Sequence, residues 1–283
     1  MSRADLHTHT TASDGRHRPE EVVHMASEAG LAAVAVTDHD TTAGTAEALE
    51  AGKRYGIRVL PGVEISTSAE SRDIHILGYG FSLEDPVFLQ RLADLRQVRN
   101  RRNAEMIAKL NELGMAVTRE EVERESSSSR RGDGSVGRPH MAEVLVRKGY
   151  VRDLREAFDR FLGETGAAYV NPERIRPEEA VRWIHEAGGA AVVAHPGLYR
   201  NDPLVLALLD SGADGLEAFH SDHDEEAQRH YERLARSRGK LATGGSDFHG
   251  TLGGVTFHGA VGHRTVDASV VDELLALAAR RSD

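Results

Sequence analysis

Leu31-Ala-Ala-Val-Ala-Val36 runs without a break into Thr37-Asp38-His39-Asp40. A short continuous apolar run is the signature of a strand buried on both faces, as in a parallel sheet covered by helices. The segment before it, Pro19 to Ala29, predicts a helix, with Pro19 in the first turn, Val22, Val23 and Ala26 as an apolar stripe and Gly30 as the stop. A second helix is expected over Ala43–Tyr55, with Gly56 behind it. The result is a helix–strand–helix unit that leaves a histidine and two carboxylates where its strand ends.

The same rhythm extends outward in both directions. Upstream, Ala4-Asp-Leu-His-Thr-His-Thr10 predicts a strand whose His7 and His9, two apart, project to one face. Downstream, Ile57–Leu60 leads through Pro61-Gly62 to Val63-Glu-Ile-Ser66, and Asp73–Gly78 alternates polar with apolar residues. After Pro177, helices over 177–187, 203–210 and 224–237 alternate with apolar runs at 190–194, 215–219 and 240–245. A last strand is expected near Val261 and a last helix over 268–280. Seven or eight strands in βα units favour an α/β barrel of the TIM type, with its active site at the strands' C-terminal ends. An open doubly wound sheet would need an early glycine-rich phosphate loop, which this sequence lacks. Between residues 84 and 164 the pattern is helical only, which predicts a barrel of residues 1–83 and 165–283 with an α-helical insertion, 84–164, covering the mouth. Within it, Ser126–Gly134 is loop-like in composition.

Composition narrows the chemistry. The chain has 283 residues, 40% of them hydrophobic, enough for a large core. A net charge of −10 argues against a surface that coats nucleic acid. The absence of cysteine excludes disulfides, thiolate metal sites and a cysteine nucleophile. With no apolar run of membrane length and no signal-peptide core, a cytoplasmic location is expected. The sequence points to no protein partner and no membrane.

His7, His9, Asp38, His39, Glu64, His75, His195, Asp247 and His249 all fall in or just beyond strand ends. Each has an ordinary reading alone: Asp38 and Asp247 as helix caps, Glu64 as an arginine's partner, His195 as the shaper of a turn before Pro196. In a barrel, however, the strand ends converge, and so many unpaired histidines and carboxylates would be expensive to desolvate. Cations remove that cost. Nitrogen and oxygen donors without sulfur suit zinc, manganese or iron.

The motifs Asp5-Leu-His-Thr-His9, Thr37-Asp-His-Asp40, Gly62-Val-Glu-Ile-Ser66, Ile74-His-Ile-Leu-Gly78, Ala194-His-Pro-Gly197 and Gly245-Ser-Asp-Phe-His249 resemble the polymerase-and-histidinol-phosphatase (PHP) family of metal-dependent phosphoesterases. Within it, Ser13-Asp-Gly15, Gly137-Arg-Pro-His140, Phe161-Leu-Gly163 and Ala168-Tyr-Val170 are most similar to enzymes acting on nucleotides. The resemblance implies a distorted (β/α)7 TIM-like barrel and three divalent ions (Mn, Fe or Zn). His7, His9, Glu64 and Asp247 would hold one, Glu64 would bridge to a second on His75 and His195, and Asp14, His39 and His249 would hold a third.

Divalent ions at such a centre would supply Lewis acidity toward a water and the phosphate oxygens. Glu64 and Asp247 are then catalytic, Arg138 grips a phosphate in bidentate fashion, and His140 binds phosphate or protonates the leaving oxygen. The alternative for Arg138 and His140 is a solvated helix start. His220 and His223 are candidates for the substrate pocket. Asp40 orients a ligand or caps a helix, and the run Arg96, Arg99, Arg101 and Arg102 reads as a solvated helix face. His17, His24, His185, His230, His258 and His263 carry no partner pattern. The substrate expected is a small nucleotide, most readily a 3′,5′-nucleoside bisphosphate losing its 3′-phosphate, or a short oligonucleotide cleaved from its 5′ end. Less favoured are a histidinol-phosphate-type or cyclic-phosphate hydrolase and a catalytically silent regulatory module, which would need a broken ligand set.

Overall fold

The computed structural model describes residues 2–126, 136–252, 255–256 and 258–282. Residues 127–134 of the expected loop lie outside them. The first strands, β1 (Arg3–Asp5), β2 (Ala33–Val36) and the long β3 (Arg58–Ala69), are parallel and alternate with α1 (Pro19–Glu28) and α2 (Thr45–Tyr55). The apolar stretch 33–36 is buried on both faces as expected.

The βα rhythm then changes: β4 (Arg72–Tyr79) turns back on β3 as an antiparallel hairpin, pairing Ser66 with His75. Glu70 and Ser71, both at positive φ, make the turn. His75 therefore reaches the mouth from within a reversed strand, which is the main distortion of the barrel.

The insertion follows as α3 (Pro86–Glu112), α4 (Arg119–Ser126), α5 (Arg138–Arg147) and α6 (Leu154–Ala157), with a π-helical turn at Phe158–Leu162. Asp85 caps α3 by accepting the N–H groups of Val87 and Phe88, each at 2.9 Å, and Pro86 occupies the first turn. Thr118 and Glu121 form the reciprocal capping box at the start of α4. Met106, Leu110, Met141, Val144, Leu145 and Leu162 form a core of the insertion's own. The first half of α3 (Phe88, Leu92, Leu95) packs instead into the barrel's outer layer.

The barrel resumes with α7 (Pro177–Glu186), β5 (Ala190–Val193), α8 (Asp202–Asp210), β6 (Gly215–His220), α9 (Glu225–Ser237) and β7 (Leu241–Gly245). β8 (Thr251–Leu252) and β9 (Val255–Thr256) form a small hairpin outside the barrel. The last strand, β10 (Val266–Asp267), lies beyond the position expected, with Val261 in the turn before it, and runs antiparallel to β1. α10 (Ser269–Ser282) ends the chain. The sheet order is β10-β1-β2-β3-β4-β5-β6-β7, and Leu6 N–H donates to Gly244 O at 3.1 Å, drawing β7 against the β1 side. Small and branched side chains (Ala4, Leu6, Ala33, Ala35, Leu60, Val192, Ala194) fill the interior, where the Tyr79 hydroxyl donates to Leu6 O at 2.7 Å.

Candidate metal centre

The parallel strand ends and the reversed β4 bring His7, His9, Asp14, His39, Glu64, His75, His195, Asp247 and His249 into one cluster, all but His75 buried. Nε2 of His7 lies 3.2 Å from Nε2 of His9, 3.4 Å from Glu64 Oε2 and 3.3 Å from Asp247 Oδ1. Nε2 of His9 lies 3.2 Å from each of the same two oxygens. Four donors around an ion with bonds of about 2.0–2.1 Å stand about 3.3 Å apart at the corners of a tetrahedron. These spacings match that figure, so the donor set fits a divalent cation. Asp247 Oδ1 and His39 Nδ1 are buried without a hydrogen-bond partner. Such groups are costly unless something satisfies them, and a cation does.

The other oxygen of Glu64, Oε1, faces His75 Nδ1 at 2.8 Å and His195 Nε2 at 3.0 Å. One carboxylate thus stands between two groups of imidazoles. Burial alone would raise its pKa, but His75, His39 and His7 outweigh burial and hold it well below the usual range. On the far side, Asp14 meets His249 Nε2 at 3.4 Å and His39 Nε2 at 3.8 Å. His249 Nδ1–H donates to Asp247 O at 2.9 Å, so in the neutral ring Nε2, the atom beside Asp14, is the nitrogen left to bind a cation.

Local backbone and side-chain contacts hold this arrangement. His195 (φ 27°), Asp247 (φ 53°) and Asp40 (φ 54°) occupy left-handed conformations that non-glycine residues seldom adopt, which is strain placed at the site. Asp38 accepts Thr10 N–H at 2.8 Å, Thr10 Oγ1 at 2.7 Å and Ser13 Oγ at 2.6 Å, tying down the loop that carries Asp14. Asp40 accepts Ser66 N–H at 2.8 Å and pairs with Arg99 at 3.0 Å, joining the insertion to the barrel beside Glu64 and His75.

Several side chains stand differently from their sequence reading. Arg99 and Arg102 are 7% and 3% exposed, not solvated, because they share the stripe of α3 that buries Leu95, Met106 and Leu110. Arg101 is exposed as expected. Arg138 is 3.1 Å from Asp73 Oδ2 and sits over the Tyr169 ring, and Arg174 pairs with the same Asp73. His140 is buried, and its Nδ1 accepts Gly137 N–H at 3.1 Å. An ordinary imidazole pKa does not hold for it: burial pushes it down to about 4, so at neutral pH the ring is an uncharged donor and not an acid. A Cβ on Gly137 would collide with the Asp14 carboxylate, so the start of α5 lies directly on a ligand candidate.

His223 is not available to a substrate. Its Nδ1–H donates to Ala218 O at 2.9 Å and its Nε2 accepts Gly197 N–H at 3.0 Å, using both ring nitrogens on backbone. His220 is fully buried, its Nε2 3.2 Å from Asp247 Oδ2. Glu217, not singled out in the sequence, contacts His7 at 2.9 Å, and His258, which the sequence leaves without a partner, has its Nε2 3.5 Å from Asp247 Oδ2. A lone carboxylate in the apolar run 215–219 was the available sign for Glu217. His258 had none, being brought in from the segment beyond β9.

Comparison with known proteins gives a consistent result. The PHP domain family matches residues 5–189. The 3′,5′-nucleoside bisphosphate phosphatase of Chromobacterium violaceum is 35% identical over 254 residues, 88% of each chain. The 5′-3′ exoribonuclease Rnm of Escherichia coli is 35% identical over 252 residues, 87% of this chain and 84% of that one. A solved structure from Bifidobacterium adolescentis, proposed to be a metal-dependent phosphoesterase, superposes with a TM-score of 0.88 at 31% identity, covering 97% of this chain and 96% of the other. Among the described residues, no helix is long and apolar enough to cross a membrane.

Proposed function

The chain belongs to the PHP domain family, and from that premise we propose that it removes the 3′-phosphate from a nucleoside 3′,5′-bisphosphate. It is a metal-dependent phosphoesterase, a hydrolase of phosphoric ester bonds. The observation that carries the doubly phosphorylated substrate is a surplus of buried positive charge beside the metal centre. Among the described residues, Arg99 pairs with Asp40, with Asp14 and Glu64 also near it, while Arg102, Arg138 and Arg174 share the single carboxylate of Asp73. Arg102 is the least satisfied: its Nε is buried without a partner, and burial together with Arg99 and Arg138 pushes its pKa well down. A second phosphate would supply the missing anion.

In this reading three divalent ions, manganese, iron or zinc, would be held in three places. His7, His9, Glu64 and Asp247 would hold one, Glu64 with His75 and His195 a second, and Asp14, His39 and His249 a third. Bound there, the ions would supply Lewis acidity toward water and phosphate oxygens. Glu64 keeps two ligand groups in register by offering one oxygen to each. Arg138, the partly exposed member of the arginine group, binds and orients a phosphate with two parallel N–H donors. His140, neutral, offers its Nε2–H as a further donor near Asp14. A cytoplasmic setting, where nucleotides are found, accords with this substrate.

The second reading, cleavage of short RNA from its 5′ end, is favoured by the likeness to the Escherichia coli exoribonuclease. It uses the same pocket for a terminal phosphate. A phosphate-release and product screen of the manganese-loaded protein on mononucleotides, 3′,5′-bisphosphates, histidinol phosphate and short oligonucleotides decides. Inorganic phosphate released fastest from bisphosphates supports the first reading. Mononucleotides released from RNA, with bisphosphates inert, overturn it.

A further inference from the structure

A bulge in β6 turns two polar side chains toward the barrel interior that a regular strand would point to opposite faces. Glu217 pairs with Thr243 of β7 and Phe219 with Gly244, so Ala218 is the extra residue. With it inserted, Glu217 and His220 both face inward and are buried to 1% and 0% exposure. Neither belongs to the ligand sets described above, yet each touches a member of one.

Glu217 accepts a hydrogen bond from His7 Nδ1–H. Its two oxygens lie 2.9 and 3.1 Å from His7 Nδ1, and an ionised carboxylate only accepts, so Nδ1 carries the hydrogen. In the neutral ring, the form that binds a cation, Nε2 of His7 is thereby the lone-pair nitrogen, turned to the point where His9, Glu64 and Asp247 converge. Glu217 is itself pinned, because its Oε2 accepts His195 N–H at 2.9 Å.

His220 works in the opposite sense. By distance it passes for a ligand, grouped with His7 and Asp247, its Nε2 being 3.2 Å from Asp247 Oδ2. The backbone excludes that role. Asp222 N–H donates to His220 Nδ1 at 3.1 Å, so Nδ1 is the lone pair and Nε2 carries the hydrogen, which goes to Asp247 Oδ2. A protonated nitrogen does not coordinate. This bond occupies one oxygen of Asp247 and leaves Oδ1, the buried unpartnered atom, facing His7 and His9.

From these contacts we infer that Glu217 and His220 are positioning residues of the metal centre, the first fixing the tautomer of His7 and the second restricting Asp247 to coordination through Oδ1. The inference rests on the metal-centre reading above. Outer partners of this kind typically carry a 10- to 100-fold share of metal affinity.

Glutamine and asparagine separate the roles at His220. His220→Gln places an amide N–H where Nε2–H was, whereas His220→Asn places its amide near Nδ1 and loses the donor to Asp247. Apo protein of each variant, and of Glu217→Gln, is checked for its fold by circular dichroism. It is then titrated with Zn²⁺ and with Mn²⁺ against a chromophoric chelator, and kcat and KM are measured at saturating metal. The expected result is full stoichiometry throughout, with rebinding weakened about 10- to 100-fold in His220→Asn and Glu217→Gln, and His220→Gln near wild type. At full metal occupancy KM stays within a few-fold, while kcat falls in His220→Asn and Glu217→Gln and not in His220→Gln. Loss of a whole equivalent of ion in both His220 variants would make His220 a ligand and overturn the inference. Wild-type affinity in all three variants overturns it as well. A wild-type chain that binds no ion removes the metal-centre premise itself, and this inference with it.

Discussion

Asp73 Oδ2 lies 3.1 Å from Nη2 of Arg138, so the guanidinium at the start of α5 is already paired before any substrate arrives. The partner is shared, since Arg174 binds the same carboxylate, and together they hold it ionised far below the usual range against the effect of burial. Asp73 is therefore a hinge of charge between insertion and barrel. It aims Arg138 without neutralising it fully.

Arg138→Ala removes a charge-assisted, two-pronged contact to phosphate in a water-poor site. A loss of about 2–4 kcal/mol is expected, roughly 30- to 1,000-fold in kcat/KM. Arg138→Lys recovers only part, because an ammonium lacks the fork. Metal content, measured by elemental analysis, stays at the wild-type value, since the residue is no ligand. Arg101→Ala, on the exposed face of α3, is the control and leaves kcat/KM on a mononucleotide unchanged. Equal rates in the Arg138 and Arg101 alanine variants would refute phosphate recognition by Arg138.

Arg102 separates stability from function. Buried among Arg99, Arg138 and Arg174 with too little negative charge, it costs the ligand-free protein energy. Arg102→Met keeps the aliphatic volume and removes the charge. Its Tm is expected to equal or exceed that of wild type, while kcat/KM on a 3′,5′-bisphosphate falls about 10- to 150-fold, the worth of one hydrogen bond to a charged group. The loss on a monophosphate is much smaller. A variant that loses Tm and handles both substrates alike would show that Arg102 is structural.

Glu64→Gln leaves one donor oxygen and removes the charge that faces His39, His75 and His195. Turnover falls by more than about 100-fold, and at least one equivalent of metal binds more weakly, with the fold retained. Exhaustive chelation of the wild type abolishes activity, and adding Mn²⁺, Zn²⁺ or Fe²⁺ restores it. Normal rate together with normal metal content in Glu64→Gln would remove Glu64 from its bridging place.

The candidate metal cluster was legible because parallel strands must end at one mouth, so polar residues at strand ends are brought together by topology alone. His75 was found by its motif, though the reversal of β4 that delivers it left no local mark. The arginines were misread for a reason visible in hindsight. Leu92, Leu95, Arg99, Arg102, Met106 and Leu110 lie three or four apart, so Arg99 and Arg102 sit on the apolar stripe of α3. A charge on such a stripe is a buried charge in search of a partner. Glu217 follows the same logic on a strand, being the one acid within Gly215–Phe219. His220 could be placed near the site but not given its role, which depends on a bulge and on one backbone N–H.

His140 adds a pH dependence that is separate from catalysis. Burial lowers its folded-state pKa from 6.5 to about 4. Between those values the unfolded chain binds a proton that the folded chain refuses, so stability rises with pH across the window and is lost as pH falls from about 6.5 toward 4. At about 1.4 kcal/mol per unit, the full effect is on the order of 3 kcal/mol. Asp5 acts oppositely in part of the same range, because burial raises its pKa from 3.8 to about 6, so its contribution to stability falls as pH rises between those values. The wild-type curve alone therefore cannot isolate His140, but a difference curve can. In His140→Gln the side-chain oxygen still reaches Gly137 N–H as a capping residue, while the titrating group is gone. Measured on metal-free protein, the Tm advantage of wild type over this variant should shrink, then reverse, as pH is lowered from 7 to 5. A difference that stays constant across that interval would mean that His140 is protonated as readily in the folded chain as in the unfolded one. Its place as a neutral donor beside Asp14 would then be lost.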